Sequence, residues 1–273
     1  MAEKNRISAR FSDLAKNGEC ALVCYVVAGY PDLRTSQAVV EMLVEGGADA
    51  IEIGIPFSDP IADGPTIQEA SHAALEMGIK PADALALALR IRKKFPDLPL
   101  LVMTYSNILA RKGFEKFFVL SKASGVDGFI IPDMPVEEAE EYTKAASRHG
   151  LSTVFLASPN TPASRLESIV KATTGFLYLV SVFGITGARS NFEDYTLQAV
   201  KAAKRAAASK VPIAVGFGIS KPEHVKYMKS AGADGVIVGS AIVDIISSSI
   251  QAKARMLRRV RSYAQTMKAA CKQ

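Results

Sequence analysis

Glu52 and Asp63 stand at opposite ends of the stretch IEIGIPFSDPIADG, one inside an apolar run and the other on the loop behind it. Ile51 and Ile53 flank Glu52, and such a run has the character of a parallel strand covered on both faces. A carboxylate placed there has no water to face. It must be neutral, paired or chemically employed, because burying a lone charge is costly. Pro56, Pro60, Gly64 and Pro65 stiffen the loop and restrict where Asp63 can point. Two carboxyls in unlike surroundings suit two tasks. Acid–base work by carboxyls is the chemistry the pair offers.

Other polar groups fall at the ends of short apolar runs: Tyr105, Asn107, Asp133 and Tyr178. Gly216, Phe217 and Gly218 let backbone approach an anion closely, and Gly239 and Ser240 open a short helix whose free N–H groups suit a phosphate. Plain turns at strand ends are the alternative reading of these glycines. The GxG is no dinucleotide fingerprint, since it follows a late strand instead of opening a first βαβ unit. Gly184, Thr186 and Gly187 in the segment 182–194 read as a lid over a substrate or as an ordinary surface connection.

Several chemistries lack their residues. No lysine sits at a strand end to form a Schiff base. His72, His149 and His224 fall in helical segments, where they make poor metal ligands or bases. Cys20 and Cys24 share a strand face without a second pair or a histidine cluster to complete a metal site. What remains is carboxylate acid–base work on a phosphorylated substrate, with a tyrosine in support. A barrel that binds phosphometabolites without turnover is the rival from another class.

These residues need a scaffold that brings strand ends together. Candidate strands are Ala21–Ala28, Ala50–Gly54, Leu98–Tyr105, Asp127–Ile131, Ser152–Ala157, Phe176–Ser181, Pro212–Phe217 and Gly235–Gly239. Helical segments separate them. Pro81, Pro135, Pro162 and Pro222 mark first turns, with Thr161 and Ser220 as expected caps. GGADAIEIG, SGVDGFIIPD and AGADGVIVGS repeat one helix-to-strand joint. Eight strands alternating with helices predict an α/β fold, a (β/α)8 TIM barrel over residues 1–273 as one domain, ahead of a doubly wound open sheet. An extra helix over residues 3–17 plugs the barrel floor, and Thr66–Met77 forms a short helix in a βα loop.

Composition narrows the setting. The 273 residues are 49% hydrophobic, enough for one large core, and no run approaches a membrane span. The N-terminus has no apolar signal core and the three cysteines do not suggest a disulfide framework, so a cytoplasmic protein is expected. The net charge of +6 is concentrated in seven cations after residue 245, without which 26 basic residues face 27 acidic ones. Met256, Val260, Tyr263 and Met267 recur there at helical spacing, so the cations form the wet face of a terminal helix, not a nucleic-acid surface.

The stretch Ile51–Gly64, followed by PTIQ, resembles the signature of the tryptophan synthase α-subunit family, and the loops GITG, GFG and GS follow in family order. The resemblance runs from the N-terminal helix to the C-terminal one. It implies retro-aldol cleavage of indole-3-glycerol phosphate to indole and glyceraldehyde 3-phosphate, with no metal or cofactor in this chain. It implies Glu52 as the acid–base, Asp63 as acceptor of the indole N–H, and Tyr178 beside Glu52. Tyr25, Met103, Ile130 and Phe217 would wall the indole; Thr186 belongs to the lid. Gly187, Gly216, Gly218, Gly239 and Ser240 would hold phosphate. The resemblance also implies a partner, the pyridoxal-phosphate-dependent β subunit in an α2β2 complex, with Asp59 and Pro60 near the contact. A stand-alone indole-3-glycerol-phosphate lyase of the family would carry the same catalytic set. Tyr25 and Met103 stand where the family pattern leads one to expect Phe and Leu.

Overall fold

The computed structural model describes residues 5–181, 189–208 and 210–272, the side chains of 189–194 excepted. Its strands are β1 (Ala21–Val27), β2 (Ala50–Gly54), β3 (Leu100–Met103), β4 (Gly128–Ile130), β5 (Ser152–Val154), β6 (Leu156–Ala157), β7 (Leu177–Val180), β8 (Ile213–Gly216) and β9 (Gly235–Val238). All pair in parallel, in the order β5-β4-β3-β2-β1-β9-β8-β7-β6. The expected fifth strand is present in two pieces. β5 pairs with β4 and β6 with β7, so the two edges of the sheet are consecutive in the chain and the barrel closes through Phe155. The Phe155 carbonyl bridges the seam, accepting the Tyr178 N–H at 2.9 Å. This is the (β/α)8 barrel the alternation predicts, with the fifth strand bent at its closure.

Period-two alternation decides what each strand residue touches. Val23, Tyr25, Val27, Ala50, Leu101, Met103, Ile130, Tyr178 and Ile237 pack inside the barrel, while Leu22, Cys24, Val26, Ile51, Ile53, Val102 and Phe129 join the layer beneath the helices. Glu52 shares the inward parity of Ala50. It is register-paired with Tyr25 on one side and Leu101 on the other, and is only 1% exposed.

The floor is closed by the helix Arg6–Lys16, whose Ile7, Phe11 and Leu14 are buried and whose Phe11 ring lies 5.5 Å from Phe176. The repeated helix-to-strand phrase has a physical basis at this end. Asp49 donates its N–H to the Leu22 carbonyl and accepts the Leu22 N–H on its carboxylate, both at 2.8 Å. Asp127 does the same with Leu100, and Asp234 with Ile213. Each carboxylate thus extends a ladder beyond the strand, and each takes a cation: Arg10 and Lys268 for Asp49, Arg6 and Arg92 for Asp127, Lys204 for Asp234.

Two local expectations need correction. Thr161 and Ser220 do not cap their helices. The cap positions fall to Pro162 and Lys221, neither with a side-chain cap bond. Thr161 instead accepts from the Ser158 N–H at 2.9 Å, and Ser220 donates its own N–H to His224 at 3.3 Å, so both are spent on turns. The third strand stops short of Leu98 and Tyr105, because Tyr105 turns out to start the helix Ser106–Lys112. The terminal helix Lys253–Lys272 behaves as its spacing predicts: Met256, Val260 and Met267 are buried and most of its cations exposed. No helix among the described residues is long and apolar enough to cross a membrane.

Candidate active site

Above Glu52, at the carboxyl ends of the strands, lies a cavity of about 440 Å³. Glu52, Asp63, Tyr178, Tyr25, Met103, Ile130, Phe217, Gly218, Gly239 and Ser240 all line it. Residues from five strands and three loops, far apart in the chain, therefore meet in one space. Gly216 does not line it. A side chain there would enter the Tyr178 ring, its Cβ 2.4 Å from the hydroxyl, so this glycine makes room for Tyr178. Asp59 and Pro60 lie outside the cavity on the β2 loop, Asp59 exposed and Pro60 half-buried. Thr186 and Gly187, with Gly184, lie outside the described residues.

Glu52 is enclosed by apolar side chains, and its Oε2 has no hydrogen-bond partner among the described residues. Burial, reinforced by the nearby Asp63 charge, pushes its pKa up to about 8, so it keeps its proton at neutral pH. Asp63 is half-buried. Burial raises it to about 6, but the Tyr105 hydroxyl donates to its Oδ2 at 2.9 Å and favours the ionised form. The two carboxyls therefore bracket neutrality, one as acid and one as anion.

Tyr105 is the residue that strand-end reading noticed but gave no task. Its hydroxyl also accepts the Ala62 N–H at 3.2 Å, and its ring stacks on Phe57 at 4.9 Å. One side chain thus ties the start of the loop, its middle and Asp63 together. Asp133, the other strand-end carboxylate, accepts the Ser106 N–H and hydroxyl and is occupied at the start of a helix. Leu156, Ile219 and Ile237 complete the apolar wall. Alternation on β9 aims Ile237 inward, whereas Leu156 depends on the bend at Phe155 and Ile219 on the loop after β8, neither of which the sequence shows.

On the loops after β8 and β9, Gly218, Gly239 and Ser240 line the cavity where the helix Ser240–Ser247 begins. First-turn amides lack intrahelical acceptors, and the helix dipole adds positive potential, so an anion is favoured there. Phe217 holds a positive φ of 71°, unusual for a bulky residue. The Ser181 hydroxyl bonds the carbonyls of Gly216 and Phe217 and fixes this turn. The Phe217 ring then meets Tyr178 edge-on at 6.1 Å. Aromatic and apolar walls between two carboxyls and an anion seat suit a phosphorylated compound with a flat apolar end. Among the described residues, no group of three or more His, Cys, Asp or Glu gathers as a metal site.

Known proteins share this fold along nearly the whole chain. The family model described as tryptophan synthase alpha chain matches residues 11–272. The tryptophan synthase alpha chain of Methanothermobacter thermautotrophicus is 44% identical over 251 residues, 92% of each chain. That of Aquifex aeolicus is 46% identical over 240 residues, 88% of this chain and 91% of its own. Among solved structures, tryptophan synthase subunit alpha from Legionella pneumophila superposes with a TM-score of 0.90 at 34% identity, covering 98% of this chain and 99% of its own. A tryptophan synthase structure from M. tuberculosis, in an aminoacrylate-bound form, gives 0.86 at 33% identity over 97% and 99%. With nearly its full length matched, this chain belongs to the tryptophan synthase alpha chain family.

Proposed function

We propose that this chain, as one barrel domain, cleaves indole-3-glycerol phosphate to indole and glyceraldehyde 3-phosphate. The observation that carries the reading is a Glu52 kept protonated by burial, its Oε2 without a partner among the described residues, in the wall of a cavity that also holds Asp63 and an anion seat. In the retro-aldol step the Glu52 proton passes to the indole ring carbon that bears the side chain. The carboxylate left behind accepts the proton of the glycerol hydroxyl as the carbon–carbon bond breaks, restoring the acid. Asp63 accepts a hydrogen bond from the indole N–H and opposes the positive charge that grows there. Tyr178 packs beside Glu52 and helps exclude water. A well-placed acid–base of this kind supplies ~10²–10⁴ in rate.

The phosphate sits on the amides of Gly218, Gly239 and Ser240, with Gly216 setting the turn behind Gly218 and leaving room for Tyr178, and with Gly187 and Thr186 of the 182–194 segment joining the substrate-binding set. Tyr25, Met103, Ile130 and Phe217 wall the indole. No cofactor belongs to this chain. Indole passes to a β subunit that carries pyridoxal phosphate, in an α2β2 assembly in the cytoplasm. Asp59 and Pro60 meet that partner, a role supported by the 81% exposure of their apolar neighbour Ile61.

The test is indole release by the purified protein, with and without a tryptophan synthase β subunit. Slow cleavage alone and much faster cleavage with the partner is expected. Equal rates would turn the reading to a stand-alone lyase, and no indole in either case would turn it to a binding barrel. Glu52→Gln should abolish cleavage and leave affinity for a non-reacting phosphate analogue nearly intact. Substantial residual turnover would refute the acid–base role.

A further inference from the structure

One polar group in this cavity has no task in the reaction as written. The Tyr25 side chain is 93% buried, lines the cavity, and its hydroxyl forms no hydrogen bond with any other described residue. The ring starts beside Gly239, where a Cβ would lie 3.2 Å from Cδ1, and ends over Gly54, where a Cβ would lie 2.2 Å from the hydroxyl oxygen. Gly54 is the next inward position after Glu52 on β2, and Glu52 is the register partner of Tyr25. The ring therefore spans from the anion seat to the acid–base, with its hydroxyl at the acid–base end. A side chain at 54 would occupy the hydroxyl's place, so the backbone leaves room for it.

The substrate's own geometry says what meets that hydroxyl. Phosphate fixes one end of the three-carbon chain at Gly239 and Ser240, and the reacting carbon must reach Glu52. The chain thus runs along the Tyr25 ring. The indole N–H is taken by Asp63, and the rest of the ring edge is C–H. Only the glycerol hydroxyls are left to satisfy a phenol.

We propose that the Tyr25 hydroxyl is a specificity-determining substrate contact, hydrogen-bonded to a glycerol hydroxyl, which makes this pocket select the polyol phosphate over its deoxy counterpart. The inference rests on the cleavage activity proposed above. A buried hydroxyl that hydrogen-bonds one ligand is left unpaired by a ligand with C–H in the same place, and sites built this way reject the deoxy analogue strongly. The Tyr25 pKa is raised by burial and then by the Asp63 charge, which keeps the phenol neutral and able to donate.

The test pairs Tyr25→Phe with removal of the ligand's hydroxyls. Two ligands are used: indole-3-glycerol phosphate, and the analogue in which the glycerol chain is a propyl chain. Tyr25→Phe should lower kcat/KM for the first about tenfold and leave inhibition by the second equal or tighter. Equal losses for both ligands would assign Tyr25 to wall packing alone, and no change in either would make its hydroxyl idle; both results overturn the proposal. If the wild-type protein releases no indole, the activity reading falls by itself. Calorimetric affinities of the same two ligands for wild type and Tyr25→Phe then decide the contact by the same criteria.

Discussion

Glu52 owes its chemistry to parity. It has the inward parity of Ala50 on β2, so the barrel interior, not solvent, sets its pKa at about 8, while Asp63 on the loop is held near 6. The proposed cleavage needs Glu52 protonated and Asp63 ionised, so kcat/KM should form a bell with limbs near 6 and 8. A profile flat from pH 7 to 9 would remove Glu52 from the acid role. The same shift has a stability consequence. The folded pKa lies above that of the unfolded chain, about 4.3. The stability contributed by the bound proton is therefore full below pH ~4.3 and is lost as pH rises through about 8. Glu52→Gln keeps the shape without the titration. It should unfold like wild type near pH 4 and gain on the order of 5 kcal/mol over it by pH 9, read from urea midpoints. Both carboxyls were legible as candidates, because Ile51 and Ile53 betray a buried strand and the prolines a rigid loop. The Tyr105 bond to Asp63 was not, since it joins residues 42 positions apart through a side chain's reach.

Strand order and strand number were written in the β-branched runs and in the aspartates that precede them. The recurrent Asp was legible as a repeated joint, but its partner was not. Only the folded barrel shows that the carboxylate serves the neighbouring strand's backbone. The three clamps differ in burial, which ranks them. Asp127 and its Arg92 partner have side chains 3% and 11% exposed, whereas Asp234 and Lys204 are 27% and 34% exposed. Asp127→Ala strands a buried guanidinium and the Leu100 N–H, and should cost about 3–5 kcal/mol. Asp234→Ala leaves a lysine that can turn to water, and should cost roughly 1–2 kcal/mol. Denaturant titrations of both variants check the order, and equal costs would contradict it. The misplaced caps and the divided fifth strand show the limit of local reading. The caps are spent on local turns, and the division of the fifth strand depends on where the barrel closes, a property of the whole ring of strands and not of any one segment.

The barrel separates its tasks by end, with the ion-paired aspartates at the floor and the cavity at the mouth. A third task is visible on the outer side of the β2 loop. The loop is held from within: Asp63 is bonded to Tyr105, Ala62 donates to the same hydroxyl, and Phe57 stacks on that ring. Yet between these anchors Ile61 projects a side chain 81% exposed, next to Asp59 and Pro60. An isolated exposed isoleucine is unremarkable, but one on a loop rigidly tied to the cavity carboxyl Asp63 offers a partner a handle on that carboxyl. If the β subunit covers it, burial contributes about 1.5–3 kcal/mol. Ile61→Ser should then weaken association with the β subunit roughly 10- to 100-fold, in sedimentation or calorimetric titration, and raise the concentration needed for activation by the same factor. Indole release by the chain alone should stay within about twofold of wild type, because Ile61 does not line the cavity. Loss of the solitary activity with unchanged association would instead place Ile61 in the support of Asp63, and the handle would have to be sought elsewhere on the rim.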